Sequence, residues 1–554
     1  MFSGSAQGRS YNNLDSKLCR DNFACVSQVA VIGSGPAGAA CAAALLERGV
    51  KVLMLDGGLG LEKERAEMVQ KLGATTPAQW DPALLAAVKG GTTSSKKGIP
   101  LKMLFGSDFP YREAEEKLHC RSEKVGLRPS LALGGFSNVW GAAMLPYIDA
   151  DMPDWPVKSA QLARHYSAVT ALTRLAGAPD DLEEVFPLYT DCAVPLELSR
   201  QARALLQKLE RNKTALARRG IRFGRSRLAV KAAPSPRESG CIYCGMCMYG
   251  CPYGFIYNST ETVQKLRANP DFSYQSDVIV DRVQETKTGV EIHGRQRVSG
   301  APFHVSAERA FLAAGPISTT RILLESLGAH DCPVFIKDSQ YWLAPMLLAQ
   351  RVAGVRHEAL HTLSQLFLEI NDPKISPFTV HLQLYSYNDL ISGAVQNSLG
   401  FIGKKADFLI REFENRLLIA QGYLHSDFSS RISVTLTRGG ELLLRPEINQ
   451  GTKKMIRRVL AKLLRRSPLL GMAPLVPMLQ VSDPGRGYHS GGSFPMRENP
   501  RDKFETDILG RPSGHERIHA VDSTVFPSIP ATTITFTAMA NAHRIGWEAA
   551  ELER

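Results

Sequence analysis

Val29-Ala-Val-Ile-Gly-Ser-Gly-Pro-Ala-Gly38 runs through an Ala-rich stretch into Val50-Lys-Val-Leu-Met-Leu-Asp56. The β-branched residues Val29, Val31 and Ile32 read as a strand that stops at Gly33. Gly33, Gly35 and Gly38 have the G-x-G-x-x-G spacing, and the residues after them read as helix. A second apolar run ends at Asp56. The order strand, glycine turn, helix, strand, acid gives each residue a physical task. Gly33 makes the tight turn, Gly35 admits a pyrophosphate to the backbone, and Gly38 brings helix and strand together. Pro36 and Ala37 open a helix whose N-terminus faces the phosphates, and Asp56 can accept from a ribose hydroxyl. The segment predicts a dinucleotide site and leaves FAD and NAD both open.

The chain has 554 residues, 44% apolar and 22% charged, with a net charge of +12. Its length suggests two to four domains. The basic balance points to acidic substrates, an anionic membrane surface or an acidic protein partner, and no nucleic-acid recognition motif accompanies it. No apolar run reaches the roughly 18 residues of a spanning helix. Met1–Ser27 is polar and reads as an arm, not a signal peptide. Of ten cysteines, four fall between Cys241 and Cys251. That pattern suits a cofactor site in a reducing, cytoplasmic setting better than a disulfide framework.

Cys241, Cys244, Cys247 and Cys251, with Pro252, match C-x2-C-x2-C-x3-C-P, the bacterial ferredoxin spacing. Gly245 and Gly250 permit tight wrapping around a compact core. An iron–sulfur cluster is the favoured reading; zinc and four structural cysteines are the alternatives. One such run leaves a four-iron and a three-iron cluster both open.

Several segments carry secondary-structure expectations. Lys89–Gly98 reads as a loop over a site. Residues 159 to 176 and 194 to 219 read as helices, and Tyr274 to Val283 as one strand. Phe311 to Glu325 is a strand, a Gly-Pro turn and a helix. Residues 335 to 450 hold alternating runs at Val380–Tyr387, Leu417–Leu424, Arg431–Leu436 and Glu441–Leu444, expected to form an antiparallel sheet over the substrate. Thr452 to Arg466 is an amphipathic helix with Met455, Ile456, Val459, Leu460, Leu463 and Leu464 on one face and only positive charge on the other. Packing on its own domain is the favoured use, and contact with an anionic bilayer is the alternative. Ser467–Leu479 is too proline-rich for a helix and suits an apolar lip or a membrane contact.

Near the end stand Gly487-Tyr-His-Ser-Gly-Gly-Ser-Phe-Pro-Met496 and Arg517-Ile-His-Ala-Val-Asp-Ser-Thr-Val-Phe-Pro-Ser-Ile-Pro-Ala-Thr-Thr-Ile-Thr-Phe-Thr-Ala-Met-Ala540, which runs on into a helix. With the N-terminal fingerprint, Gly134-Gly-Phe-Ser-Asn-Val-Trp-Gly141 and Ala313-Ala-Gly-Pro316, these resemble the glucose–methanol–choline oxidoreductase family. The resemblance favours FAD over NAD. It implies an α/β Rossmann-like FAD-binding domain plus an α+β substrate domain with an antiparallel sheet. It also implies FAD contacts from Gly33, Gly35, Pro36, Ala37, Gly38, Asp56, Gly135, Ser137, Asn138, Val278, Ala314, Gly315, Asp522 and Thr533, with His489 over the flavin as the catalytic group. The branch that looks most similar is the bacterial sugar and polyol dehydrogenases whose flavin subunit holds an iron–sulfur cluster. Their three cysteines are spaced like Cys241, Cys247 and Cys251; Cys244 is an addition that favours four irons.

Three departures stand out. The family's second polar residue aligns with Ala531. Covalent attachment through a His is not expected, because Val139 holds that place, so FAD should bind non-covalently. The export signal of secreted relatives has no counterpart. The expected division is an arm (1–27), FAD-binding parts (28–155 and 260–332), substrate-domain parts (156–239 and 333–480), the cysteine segment (240–259) and a C-terminal FAD and active-site segment (481–554). The expected chemistry is hydride transfer from an alcohol, sugar, glycoside or polyol to flavin N5, with electrons leaving through the cluster to an outside protein. A reductase run in reverse, an oxidase with a structural cluster, and an electron-transfer flavoprotein without its own substrate are the rivals.

Overall fold

A computed structural model describes residues 28–90, 101–233, 239–390 and 407–551. The arm Met1–Ser27 and residues 91–98 of the expected loop lie outside them.

The fingerprint folds as its spacing predicts. Val29–Ile32 and Val52–Leu55 are parallel neighbours with every residue buried. Ala310–Leu312 pairs on the other side of Val29–Ile32, and Ile518–Ala520 and Phe272–Gln275 close a five-stranded parallel sheet. Buried on both faces, such a sheet needs cover on each. The helix Pro36–Glu47 and the final helix Ile534–Glu551, packed against each other, cover the face of Val29, Val31, Val52 and Met54, while Ala30, Ile32, Leu53 and Leu55 on the other face join a cluster with Val278, Val280 and Ile292. Small residues set their approach: a Cβ on Gly546 would lie 3.0 Å from the Cys41 carbonyl oxygen.

The expected single strand Tyr274–Val283 is two strands. Phe272–Gln275 belongs to the parallel sheet, and Val278–Glu285 to a three-stranded antiparallel sheet with Val290–Gln296 and Pro302–Ala307. Asp277, at φ 65°, turns the chain between them. The helix expected over 194 to 219 likewise divides, into Arg200–Arg211 and Lys213–Ala217 at Asn212.

The later half contributes two more sheets. One joins Ser490–Gly491, Val334–Asp338, Arg431–Leu436, Leu442–Glu447 and Cys120–Ser122. The other is antiparallel and holds Met472–Pro474, Tyr341–Leu348, Leu417–Tyr423, Val380–Tyr385, Leu366–Ile370 and Ile221–Arg225, with Gln480–Val481 also on Tyr341–Leu348. Strand periodicity gives this second sheet two unlike faces. Trp342, Ala344, Met346, Leu368, Leu382, Leu384, Leu418 and Ala420 form a dry core with the helices Arg200–Arg211 and Thr452–Arg465. Tyr341, Leu343, Gln383, Tyr385, Gln421 and Tyr423 face a cavity on the other side.

The basic helix therefore packs on its own domain. Met455, Ile456, Val459, Leu460 and Leu463 are buried in that core, each worth about 1.5–3 kcal/mol of apolar burial. Leu464 departs from the expectation and stays 49% exposed. Lys462 is buried and bonds to Asp372. Ser467–Leu479 also differs from the proline-based expectation: Ser467–Leu470 is a helical turn with its proline near the start, and Met472–Pro474 is a strand. Proline suits a first helical turn because the N–H it lacks has no intrahelical partner there. Among the described residues, no helix is long and apolar enough to cross a membrane.

Candidate active site and cysteine cluster

Three helix N-termini meet one cavity of about 1100 Å³. Pro36–Glu47 and Pro316–Ser326 each begin with a Gly-Pro pair, and neither N-cap glycine offers a side chain to the first N–H groups. Thr533, Ile534 and Thr535 bring in the final helix. Unsatisfied N–H groups and aligned dipoles make such ends anion sites. The glycines divide their tasks as the sequence predicts. A Cβ on Gly33 would lie 2.5 Å from the Ala313 carbonyl oxygen, and one on Gly38 would lie 1.9 Å from that of Gly33. Cβ atoms on Gly35 or Gly315 would meet nothing within 4 Å. The first pair closes the fold; the second pair leaves open backbone beside the cavity.

Two carboxylates pin this cradle. Asp56 accepts from Ser34 N–H (2.9 Å), Ser34 Oγ (2.7 Å), Gly58 N–H (2.8 Å) and Tyr274 Oη (3.2 Å). Burial raises its pKa, and those donors work against the rise. Asp522 accepts from Gly315 N–H (2.8 Å), Thr319 Oγ1 (2.6 Å) and Thr524 N–H (2.9 Å). Gly33, Gly35, Pro36, Ala37, Gly135, Ser137, Val278, Ala314, Gly315 and Thr533 line the cavity with them, as does Val139. Gly38 instead packs behind the turn. Asn138 braces its own loop, donating to the Leu133 and Gly135 carbonyls. Open backbone, helix ends facing the cavity and a volume of this size fit a dinucleotide.

His489 lies at the sheet end of the cavity. Asp338 fixes its turn, accepting from Gly485 N–H (2.9 Å) and Ser490 Oγ (2.8 Å), while Ser339 N–H donates to the His489 carbonyl (2.9 Å). The imidazole stacks on Tyr423 with centroids 4.5 Å apart and planes 15° apart. Its Nδ1 is buried with no hydrogen-bond partner. Burial, and then His381, push its pKa down to about 3, so the ring is neutral at pH 7 and a ring nitrogen can accept a hydrogen bond from a hydroxyl. Ala531 is fully buried in an apolar cluster with Tyr341 and Tyr423, so it supplies no second polar group.

Sequence reasoning missed the polar chain beside His489. His381 and Gln383 share a strand face, and Glu369 pairs across from His381. Glu369 Oε1 lies 2.6 Å from His381 Nδ1, Gln383 Nε2 lies 3.2 Å from His381 Nε2, and Tyr385 Oη donates to Gln383 Oε1 at 3.1 Å. The signal was present as polar residues at every second position within Val380–Tyr385, a strand otherwise aliphatic.

The four cysteines line one small enclosed cavity with Ile242, Tyr253, Phe255, His361 and Leu363. All four are free thiols, and Phe255 N–H donates to Cys251 Sγ at 3.3 Å. Left-handed turns at Tyr243, Gly245, Gly250 and Gly254 curl the segment around the cavity. Burial raises the Cys241 thiol to about 12 and the Cys244 thiol to about 11, with neighbouring cysteines adding to the rise. Stable thiolates here would need a bound cation. Among the described residues, no three His, Cys, Asp or Glu side chains are arranged to hold a single metal ion. Leu363 lines both this cavity and the large one, so the two share a wall. Lys102, also on the large cavity, bonds to the Trp140 carbonyl (3.0 Å) and is near enough to Cys247 and Cys251 to feel their charge.

No protein-family model matches the chain, and no curated protein matches it in sequence. Solved structures match its fold. Pyridoxine 4-oxidase from Mesorbium loti superimposes with a TM-score of 0.57 at 12% identity, covering 94% of this chain and 99% of that one. Formate oxidase does so with a TM-score of 0.58 at 14% identity, covering 96% and 99%. A variant formate oxidase of Aspergillus oryzae RIB40, solved for its effect on FAD modification, has a TM-score of 0.58 at 14% identity, covering 95% and 98%. At such identities the likeness is one of fold. The expected fold class, a Rossmann-like α/β part joined to antiparallel sheets, is the one observed, and these oxidases share it.

Proposed function

We propose that this chain is an FAD-dependent oxidoreductase of the glucose–methanol–choline family acting on CH–OH groups. The observation that carries the reading is His489: a neutral imidazole, on a turn braced by Asp338, at the end of a dinucleotide-sized cavity that the final helix enters N-terminus first. The whole-length fold likeness to two oxidases, one described through its FAD, supports it.

Bound FAD supplies the hydride acceptor. The protein's residues do the rest. Gly35, Gly315 and the helix ends hold the phosphates, Asp56 and Asp522 shape their turns, and Val139 leaves FAD non-covalent. His489 holds the hydroxyl by hydrogen bond at a ring nitrogen, or takes its proton there, as the carbinol C–H bond breaks and the C=O bond forms. Cys241, Cys244, Cys247 and Cys251 would hold an iron–sulfur cluster of four irons, which would supply one-electron transfer to an external acceptor protein. The spacing of the four, their common cavity and the wall shared through Leu363 support that part. A dehydrogenase is favoured on these grounds. An oxidase is the second reading, favoured by the names of the fold neighbours. Free thiols at the cysteine site suit a cytoplasmic setting.

The test is an absorbance and EPR spectrum of anaerobically purified protein, with iron and sulfide counted. Flavin bands with about four irons and a signal on dithionite reduction fit the reading. Flavin without iron would remove the cluster and leave the oxidase. Absence of flavin would overturn the reading entirely.

A further inference from the structure

The cavity face of the antiparallel sheet changes chemistry along its length. Its register sets side chains in rows about 7 Å apart. The first row is Tyr341, Tyr423, His381 and Glu369. The second is Leu343, Gln421, Gln383 and Phe367. The third is Pro345, Ile419 and Tyr385, and the fourth is Leu347 and Leu417. His489 stacks on Tyr423 in the first row. Charged and amide groups therefore gather in the two rows at the histidine, and outward of them Tyr385 is the one polar side chain among Pro345, Ile419, Leu347 and Leu417.

The outer end continues in kind. Leu475 N–H bonds to the Pro345 carbonyl, which seats Val476–Met478 beside the third row. Met478 and Phe413 line the cavity, and Val476 and Met478 remain 37% and 49% exposed. The second, third and fourth rows carry no charged side chain. At the rim, Lys89 is already paired to Asp389 at 2.6 Å.

We propose that the substrate is an alcohol with a single hydroxyl on an apolar body. This rests on the oxidoreductase reading above. The hydroxyl meets His489 and the amides of Gln383 and Gln421, and the body lies along Leu343, Pro345, Ile419 and Leu417 to the apolar lip at Met478. A polyol would bring several hydroxyls against the third and fourth rows, where the one polar side chain, Tyr385, already donates its hydroxyl to Gln383, whereas each buried methylene is favourable.

The experiment is steady-state kinetics of the full-length holoenzyme with a dye acceptor, comparing 1-butanol, 1-octanol and 1-dodecanol with glucose and mannitol. KM should fall about fourfold per methylene, the ~0.8 kcal/mol of a buried CH2 group, with kcat nearly constant. The variant Ile419→Asp should raise KM for 1-dodecanol more than for 1-butanol. A second measurement reads binding without turnover: 1-dodecanol should displace the fluorophore 11-(dansylamino)undecanoic acid from wild type and less so from Ile419→Asp. Turnover of glucose or mannitol in preference to 1-dodecanol would overturn the substrate class and leave the oxidoreductase reading standing. Absence of both turnover and displacement by 1-dodecanol would also overturn the class. Displacement without turnover of any alcohol would support the apolar site while counting against the redox reading.

Discussion

Glu369 Oε1 lies 2.6 Å from His381 Nδ1, and both side chains are wholly buried. The pair spans neighbouring strands and fixes the tautomer of His381, whose Nε2 then accepts from Gln383. Glu369→Gln keeps the shape and removes the charge, so it should cost about 1.5–3 kcal/mol of stability. It should also lower kcat while flavin content is unchanged, because Gln383 loses its support. Thermal unfolding and flavin-normalised turnover check this; wild-type values for both would refute it.

Gly35 and Gly38 separate binding from folding. Gly35→Ala places its methyl in open space, whereas Gly38→Ala drives one to 1.9 Å from a backbone oxygen. Gly35→Ala should fold normally and lose most of its FAD. Gly38→Ala should be strongly destabilised even without FAD. Circular dichroism and flavin content on the two purified variants decide it, and equal stability of the two would contradict the division.

Acid should destabilise the protein from about pH 6.5 downward. Burial holds His489 and His165 down to about 3, and His361, His425 and His519 down to about 4. Unfolded histidines protonate near 6.5 while the folded ones do not, so their stabilising share is present above 6.5 and lost as pH falls toward 3–4. Buried Asp338 and Asp151, raised to about 7 and about 6, act in the opposite sense as pH falls, and burial raises Asp56, Asp180, Asp522 and Glu358 in the same direction; the histidines, which resist protonation throughout pH 5 to 6.5, outweigh them. The melting temperature should therefore drop between pH 7 and pH 5; a rise would contradict the balance.

Cys247→Ser should lose the iron and its visible absorbance while retaining flavin. Cys244→Ser should keep part of the iron if three cysteines suffice for a smaller core. Iron counts against flavin in the two variants check this, and unchanged iron in Cys247→Ser would refute ligation.

What the sequence made legible was local. The turn Gly33–Gly38, the strand ending at Asp56 and the spacing Cys241–Cys251 each set their geometry within a few bonds. Glu369, His381, Tyr423 and His489 lie far apart along the chain and meet only through strand register and stacking, which no single-segment pattern contains. The periodicity of Thr452–Arg466 told that one face would be covered but not by what; the cover is the sheet's far side, built from Trp342, Leu382 and Ala420. The run Tyr274–Val283 looked continuous because a single left-handed residue, Asp277, is enough to send its halves into different sheets.

The most direct measurement is the anaerobic reduction of bound flavin by alcohol in wild type and His489→Asn, followed by stopped-flow absorbance. The account predicts rapid bleaching in wild type, and in the variant an intact flavin spectrum with bleaching slowed about 10²–10⁴-fold. Bleaching of the variant at the wild-type rate would contradict the role given to His489.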